Sequence, residues 1–79
     1  MSLTQQLADK LAEDTFKVMD TTGDDRFFME VAAVIGASST TLEEAYLTSV
    51  RVRIAERRAR KFMIDRINGV ASDPTDVDL

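Results

Sequence analysis

The sequence contains neither cysteine nor histidine. Without cysteine, disulfide bonds and thiolate-bound metal ions cannot stabilise the chain. Without histidine, the chain lacks the commonest general base and a frequent ligand of transition metals. The serines have no histidine to activate them, and a carboxylate di-iron bundle built on Glu-x-x-His cannot form. We predict from these absences that the protein is not an enzyme and has no cofactor or bound metal.

Residues that interrupt helices and segments that enter membranes are also scarce. The chain has one proline, Pro74, and three glycines, which favours long helices. The longest apolar run, residues 31–35, is far too short to span a membrane. The N-terminus carries acidic residues early and lacks the basic start and apolar run of a signal peptide. These features predict a cytoplasmic protein with no membrane partner.

Apolar spacing predicts an all-α fold with three helices, at about residues 3–19, 26–35 and 41–68. Leu3, Leu7 and Leu11 form a stripe on the first helix. The composition of residues 20–25 is typical of a turn. The motif TLEE at residues 41–44 matches a capping box, with residues 40–43 as a competing register. We expect residues 1–70 to form one small helical domain, followed by a disordered acidic tail at 71–79.

The third predicted helix changes its apolar side along its length. Its first half has apolar residues on one side, namely Leu42, Tyr46, Leu47, Val50 and Ile54. Its second half has them on nearly the opposite side, at Ala55, Ala59, Phe62, Met63 and Ile67. Since few apolar residues of this chain remain to cover the second set, we predict that it forms an oligomer interface in a dimer or larger homo-oligomer. The alternative is a helix that breaks near Arg57 and folds back.

Charge is distributed unevenly along the chain. Residues 1–50 hold three basic and nine acidic residues, whereas residues 51–66 hold seven basic and two acidic ones. The second group includes a basic side of the third helix, formed by Arg53, Arg57, Arg58, Arg60 and Lys61. We predict that this charged face meets carboxylates, either of this protein or of an acidic protein partner. Arginine suits phosphates equally well, so contact with nucleic acid is the alternative.

A stretch that begins near the acidic turn resembles the entry to an EF-hand. Asp20, Thr22 and Asp24 stand at the first, third and fifth loop positions. The twelfth position, where a bidentate glutamate is needed, is Val31. The sequence therefore predicts an acidic turn with no calcium site.

The stretch EVAAVIGASSTTLEEAY at residues 30–46 resembles the helix-turn-helix of phage-repressor-like and resolvase-like regulators. Ala32 matches the small residue at the helix contact, Gly36 the glycine of the turn, and Leu42 and Ala45 the inward residues of the recognition helix. The resemblance implies DNA binding. A third helix that starts at Ser38 or Ser39 would support this geometry, and a start at Thr40 or Thr41 would support an ordinary helical hairpin.

The sequence thus leaves two functions open. The preferred one is a small, non-enzymatic, self-associating helical protein that acts through protein contacts as an adaptor or regulator. The alternative is a DNA-binding transcriptional regulator that uses the helix-turn-helix, with phosphates bound by the arginines. We rank protein contacts first because the nine acidic residues of the first fifty can meet the basic face.

Overall fold

The computed structural model describes residues 2–69, which form three α-helices. These are α1 (Leu3–Thr22), α2 (Phe27–Gly36) and α3 (Thr40–Ile67). The predicted all-α class with three helices is confirmed. The helix α3 is continuous over 28 residues, so the alternative of a helix that breaks near Arg57 and folds back is wrong. The predicted acidic tail at 71–79 lies outside the described residues.

The helix α1 is longer than predicted, because residues 20–22 belong to it and not to the following turn. The Thr21 and Thr22 hydroxyls donate hydrogen bonds to the carbonyl oxygens of Lys17 (2.8 Å) and Val18 (2.9 Å), which keeps both threonines in the helical register. Gly23 then ends the helix with a φ of 76° and donates its N–H to the Met19 carbonyl oxygen at 2.8 Å. Glycine adopts this left-handed conformation without steric cost.

The connection between α2 and α3 differs in detail from the sequence prediction. Gly36, which the helix-turn-helix resemblance assigns to the turn, is the last residue of α2. A Cβ atom at Gly36 would lie 2.7 Å from the Glu43 carboxyl group, so the glycine allows this side chain to approach closely. The cap of α3 is Ser39, whose Oγ accepts a hydrogen bond from the Leu42 N–H at 3.1 Å. Neither predicted capping box is used.

The two glycines predict opposite outcomes on replacement by alanine. We expect Gly23→Ala to lower the free energy of unfolding by about 1 kcal/mol or more, because alanine is strained at positive φ. We expect Gly36→Ala to leave it unchanged or raise it by up to about 1 kcal/mol, because the position is helical and the Glu43 carboxyl can rotate away. Urea unfolding of both variants measures this. An equal loss in both would show that the position of Glu43 is rigidly fixed.

The core lies where α1 and α3 pack together, with α2 closing one side. Its buried apolar residues are Ala8, Ala12, Phe16, Met19, Ala32, Tyr46 and Val50. Among the predicted leucine stripe of α1, Leu3 and Leu7 are exposed. The helix is rotated so that its alanines face the core, since small side chains on α1 leave room for the large side chains of the same cluster. Leu11, the third leucine of the stripe, does pack against the core, so the buried side of α1 was predicted only in part.

Tyr46 is fully buried and carries the one long-range side-chain hydrogen bond inside the described core. Its hydroxyl lies 2.8 Å from Thr15 Oγ1, which itself donates to the Leu11 carbonyl oxygen at 2.7 Å. Because the threonine hydroxyl has one hydrogen, Tyr46 is the donor and Thr15 the acceptor in their bond. Burial raises the pKa of Tyr46.

Tyr46 is the only tyrosine, so tyrosinate absorbance follows this one group. We expect its midpoint above the ordinary pKa of 10.0, because burial disfavours the charged form. As pH rises, the Tyr46 hydroxyl ionises at a lower pH in the unfolded chain than in the folded chain. The contribution of Tyr46 to stability is therefore complete below about pH 10 and is lost as pH rises towards the folded pKa. A spectrophotometric titration measures the midpoint, with urea-unfolded protein as the reference. A folded midpoint at or below the unfolded one would contradict the burial.

Candidate interaction surface

The helix α3 extends past the two helices that pack against it. The last α3 residue that packs against the core is Ile54, and Arg57 still pairs with Asp20 of α1. Beyond it, residues 59–67 are exposed except for Phe62 and Asp65, which are half-buried. We call residues 59–67 the projecting segment. The whole of α3, with its 28 residues, spans about 42 Å, which is close to the 47 Å longest dimension of the described molecule.

The projecting segment carries most of the predicted oligomer interface. Met63 and Ile67 are 53% and 83% exposed, and Ala55 and Ala59 are exposed as well. Phe62 is half-buried, with the Arg66 guanidinium 5.4 Å from the centre of its ring. The structure adds two exposed apolar residues that the sequence analysis missed, Val52 and Ile64. The sequence could not identify these two residues as surface residues, because their spacing along α3 is equally consistent with a buried position.

Arg57, from the predicted charged face, is bound within its own chain. Its two terminal nitrogens donate to the two carboxylate oxygens of Asp20, each at 2.9 Å. Its guanidinium also lies 4.4 Å from the centre of the Phe16 ring. The hydrogen bond from Arg57 holds the pKa of Asp20 below its usual value, and the same bond raises the pKa of Arg57. The pair joins the end of α1 to the middle of α3.

The other members of this face differ in their surroundings. Arg53 donates to the Asp9 carbonyl oxygen at 3.3 Å, beside the 2.9 Å hydrogen bond from Ser49 to the Asp9 carboxylate. Arg60 and Lys61 form pairs along α3, with Glu56 at 2.7 Å and Asp65 at 2.6 Å. Arg58 has no charged partner among residues 2–69, and neither does Arg51, which the sequence analysis did not place on this face.

The carboxylates that meet Arg53 and Arg57 were not identified from the sequence. Asp9 and Asp20 lie 44 and 37 residues away from their partners. The uneven charge of the chain indicated that an acidic half would meet a basic segment, and α1 and α3 do meet in this way. No spacing rule connects positions on two different helices, so the individual partners could not be predicted.

The stretch that resembles a helix-turn-helix has a three-residue connection, residues 37–39, between α2 and α3. Ala32 is buried, as a small residue at a helix contact would be. The helix α3 starts at Thr40, which is the start that we associated with an ordinary helical hairpin. The two glutamates of this stretch differ: Glu44 is exposed, whereas Glu43 is half-buried and lies against Gly36.

Arg57 and Arg58 form a matched pair for mutation, because they are adjacent and, among residues 2–69, only Arg57 has charged partners. We expect Arg57→Ala to lower the melting temperature by about 2–8 °C, mainly through the lost stacking on Phe16, with a small part from the exposed ion pair. Arg58→Ala should leave it unchanged. The lowered pKa of Asp20 means that the ion pair stabilises the fold above the ordinary value of 3.8 and is lost as pH falls through the folded value. The difference between the variants should therefore shrink in acid.

Thermal unfolding followed by circular dichroism, at neutral pH and near pH 3, measures both effects. Equal melting temperatures for the two variants at neutral pH would contradict the described contacts of Arg57.

Within residues 2–69, none of the three helices combines the length and apolar character needed to cross a membrane. The same part of the chain has no cluster of three or more side chains suited to hold a metal ion. Comparison of this chain with protein-family models, with curated proteins and with solved structures gives no match.

Proposed function

We propose that this protein is a non-enzymatic helical protein that associates with at least one other copy of itself and acts through protein contacts, as an adaptor or regulator. The observation that carries the proposal is the extension of α3 beyond its own core, with Met63, Ile64 and Ile67 about half or more exposed on the projecting segment. Large apolar side chains grouped on one exposed segment are typical of interaction sites.

Self-association agrees with the size of the domain. A chain of 79 residues has a small core, and within residues 2–69 the largest fully buried side chains are Tyr46 and Val50. Covering the projecting segment would add buried apolar area at about 25 cal/mol per Å². A second copy is the simplest cover, because it presents the same apolar segment and the commonest soluble assemblies are symmetric dimers.

A double substitution, Phe62→Asp with Ile67→Asp, tests the proposal. We expect the wild type to have at least the mass of a dimer at high micromolar concentration, and the variant to be a monomer that remains helical. The matched control places aspartates at two apolar positions outside the projecting segment, Leu3 and Val34, which are 69% and 74% exposed. The control should keep the mass of the wild type. Sedimentation or light scattering gives the masses, and a monomeric wild type would reject the proposal.

The second candidate is DNA binding by residues 30–46. It is supported by the buried Ala32 and by the absence of charged partners for Arg51 and Arg58 within residues 2–69, whereas the start of α3 at Thr40 counts against it. Contacts would be mainly to phosphates, so affinity should fall steeply with salt. Fluorescence anisotropy with a mixed-sequence duplex at low salt tests it. Micromolar binding that disappears when Arg51 and Arg58 become glutamine, with fold and assembly intact, would place this function first.

A further inference from the structure

The outer side of α3 carries a regular apolar spacing that continues from the body of the domain into the projecting segment. Val52, Ala55, Ala59 and Phe62 follow one another at intervals of three, four and three residues. This is the spacing of the first and fourth positions of a coiled-coil heptad. Arg66 takes the next position of the series, so the apolar spacing ends at Phe62. We call the four residues the seam.

The seam lies on the side of α3 that faces away from α1 and α2. Val50 is fully buried whereas Val52, two residues further along the helix, is 63% exposed. Two residues turn an α-helix by about 200°, so the two valines point in nearly opposite directions. Ala55 and Ala59 are exposed too. Two copies could therefore approach through their seams without their other helices intervening, and the alanines would permit close approach.

Charges beside the seam identify the orientation of the second copy. In this heptad, Val52 and Ala59 occupy position a, and Ala55 and Phe62 occupy position d. Arg51 and Arg58 therefore occupy position g on one flank of the seam, and Glu56 occupies position e on the other flank. In a parallel pair of helices, the residue at position g of one helix meets the residue at position e, five places later in the sequence, on the other helix. Arg51 of each copy would then meet Glu56 of the other. Arg51 lacks a charged partner among residues 2–69, and the hydrogen bond from Arg60 Nε reaches Oε2 of Glu56, leaving Oε1 to accept another.

The same charges favour an antiparallel pair less. Aligning the two alanines of one helix with those of an antiparallel copy offers Arg51 only Asp65, whose carboxylate already accepts a hydrogen bond from Lys61 at 2.6 Å. The same alignment brings Arg58 close to Arg58, and Glu56 close to Glu56, of that copy. Like charges placed opposite each other in this way oppose association. We propose that the protein forms a parallel two-stranded contact through Val52, Ala55, Ala59 and Phe62, with Arg51 of each copy paired to Glu56 of the other. The inference rests on the proposed self-association and specifies its orientation and central contacts; Met63 flanks the seam, whereas Ile64 and Ile67 lie off it.

The absence of cysteine allows a direct test, since any introduced thiol is the only one. Full-length Val52→Cys should form a covalent dimer rapidly under mild oxidation, because a parallel seam places the two copies of residue 52 side by side within disulfide reach. Val34→Cys, exposed on α2, is the matched control and should not. In a mixture of Val52→Cys and Phe62→Cys proteins, the cross-link between unlike positions should be the minor product.

Charge reversal gives an independent measurement. Arg51→Glu alone and Glu56→Arg alone should each weaken self-association about tenfold or more, and the double reversal should restore it. Rapid cross-linking at position 52 with this rescue would support the inference. A dimer without cross-linking at position 52, or with preferred cross-links between positions 52 and 62, would overturn it while leaving self-association intact. A wild type that is monomeric at high micromolar concentration would overturn both proposals.

Discussion

Val50→Asp is expected to abolish the cooperative unfolding transition of this protein. Val50 is fully buried in the core between α1 and α3. An ionised carboxylate at this position would lose its hydration and find no cation in the core, at a cost of several kcal/mol. A domain of this length has about 4–12 kcal/mol of stability in total. The substitution therefore removes a large fraction of it, or all of it.

Circular dichroism during thermal and urea unfolding measures this effect. Val34→Asp provides the control, since the same change is made at a valine that is 74% exposed and should alter stability by no more than about 0.5 kcal/mol. If Val50→Asp unfolded with the midpoint of the wild type, the described contact between α1 and α3 would be wrong.

The second large effect is expected at Tyr46. Removal of its ring in Tyr46→Ala should cost about 3–5 kcal/mol, because it leaves a cavity in a core whose large side chains are few. Tyr46→Phe should cost only about 0.5–1.5 kcal/mol, because it removes the hydrogen bond to Thr15 and keeps the ring. Thr15 still donates to the Leu11 carbonyl oxygen in that variant, so its hydroxyl retains a partner.

Urea unfolding of the wild type and both variants separates the ring from the hydroxyl. A Tyr46→Phe variant as unstable as Tyr46→Ala would show that the hydrogen bond, and not the packing of the ring, dominates at this position.

The number of helices and their approximate ends could be predicted from the sequence because the signals are local. Gly23 ends α1 through its own backbone conformation, and apolar periodicity acts over a few residues. The end of α1 was predicted too early. Thr21 and Thr22 form hydrogen bonds back to the preceding helical turn, although these residue types are equally typical of a loop. The cap of α3 was predicted one or two residues too late, because three neighbouring residues, Ser39, Thr40 and Thr41, can each cap a helix.

Periodicity predicted the buried side of α1 only in part: Leu11 packs against the core, but Leu3 and Leu7 are exposed and the alanines are buried instead. Which side is buried depends on the shape of the partner helix, and the core contains the large side chain of Tyr46 beside Ala8 and Ala12. The candidate surface was predicted in part. The change of apolar side along α3 identified Met63 and Ile67, whereas Val52 and Ile64 became visible only once the packing of α3 was known.

The pair formed by Asp20 and Arg57 has a consequence for how the helices depend on one another. Asp20 lies in the last turn of α1, where the partial negative charge of the helix dipole makes an acidic residue unfavourable, and this turn has no basic residue of its own. The missing positive charge comes from Arg57, a residue of α3. The C-terminal end of α1 should therefore fray as an isolated peptide and become ordered when α3 docks. Local helix formation and tertiary assembly are in this way linked into one cooperative event.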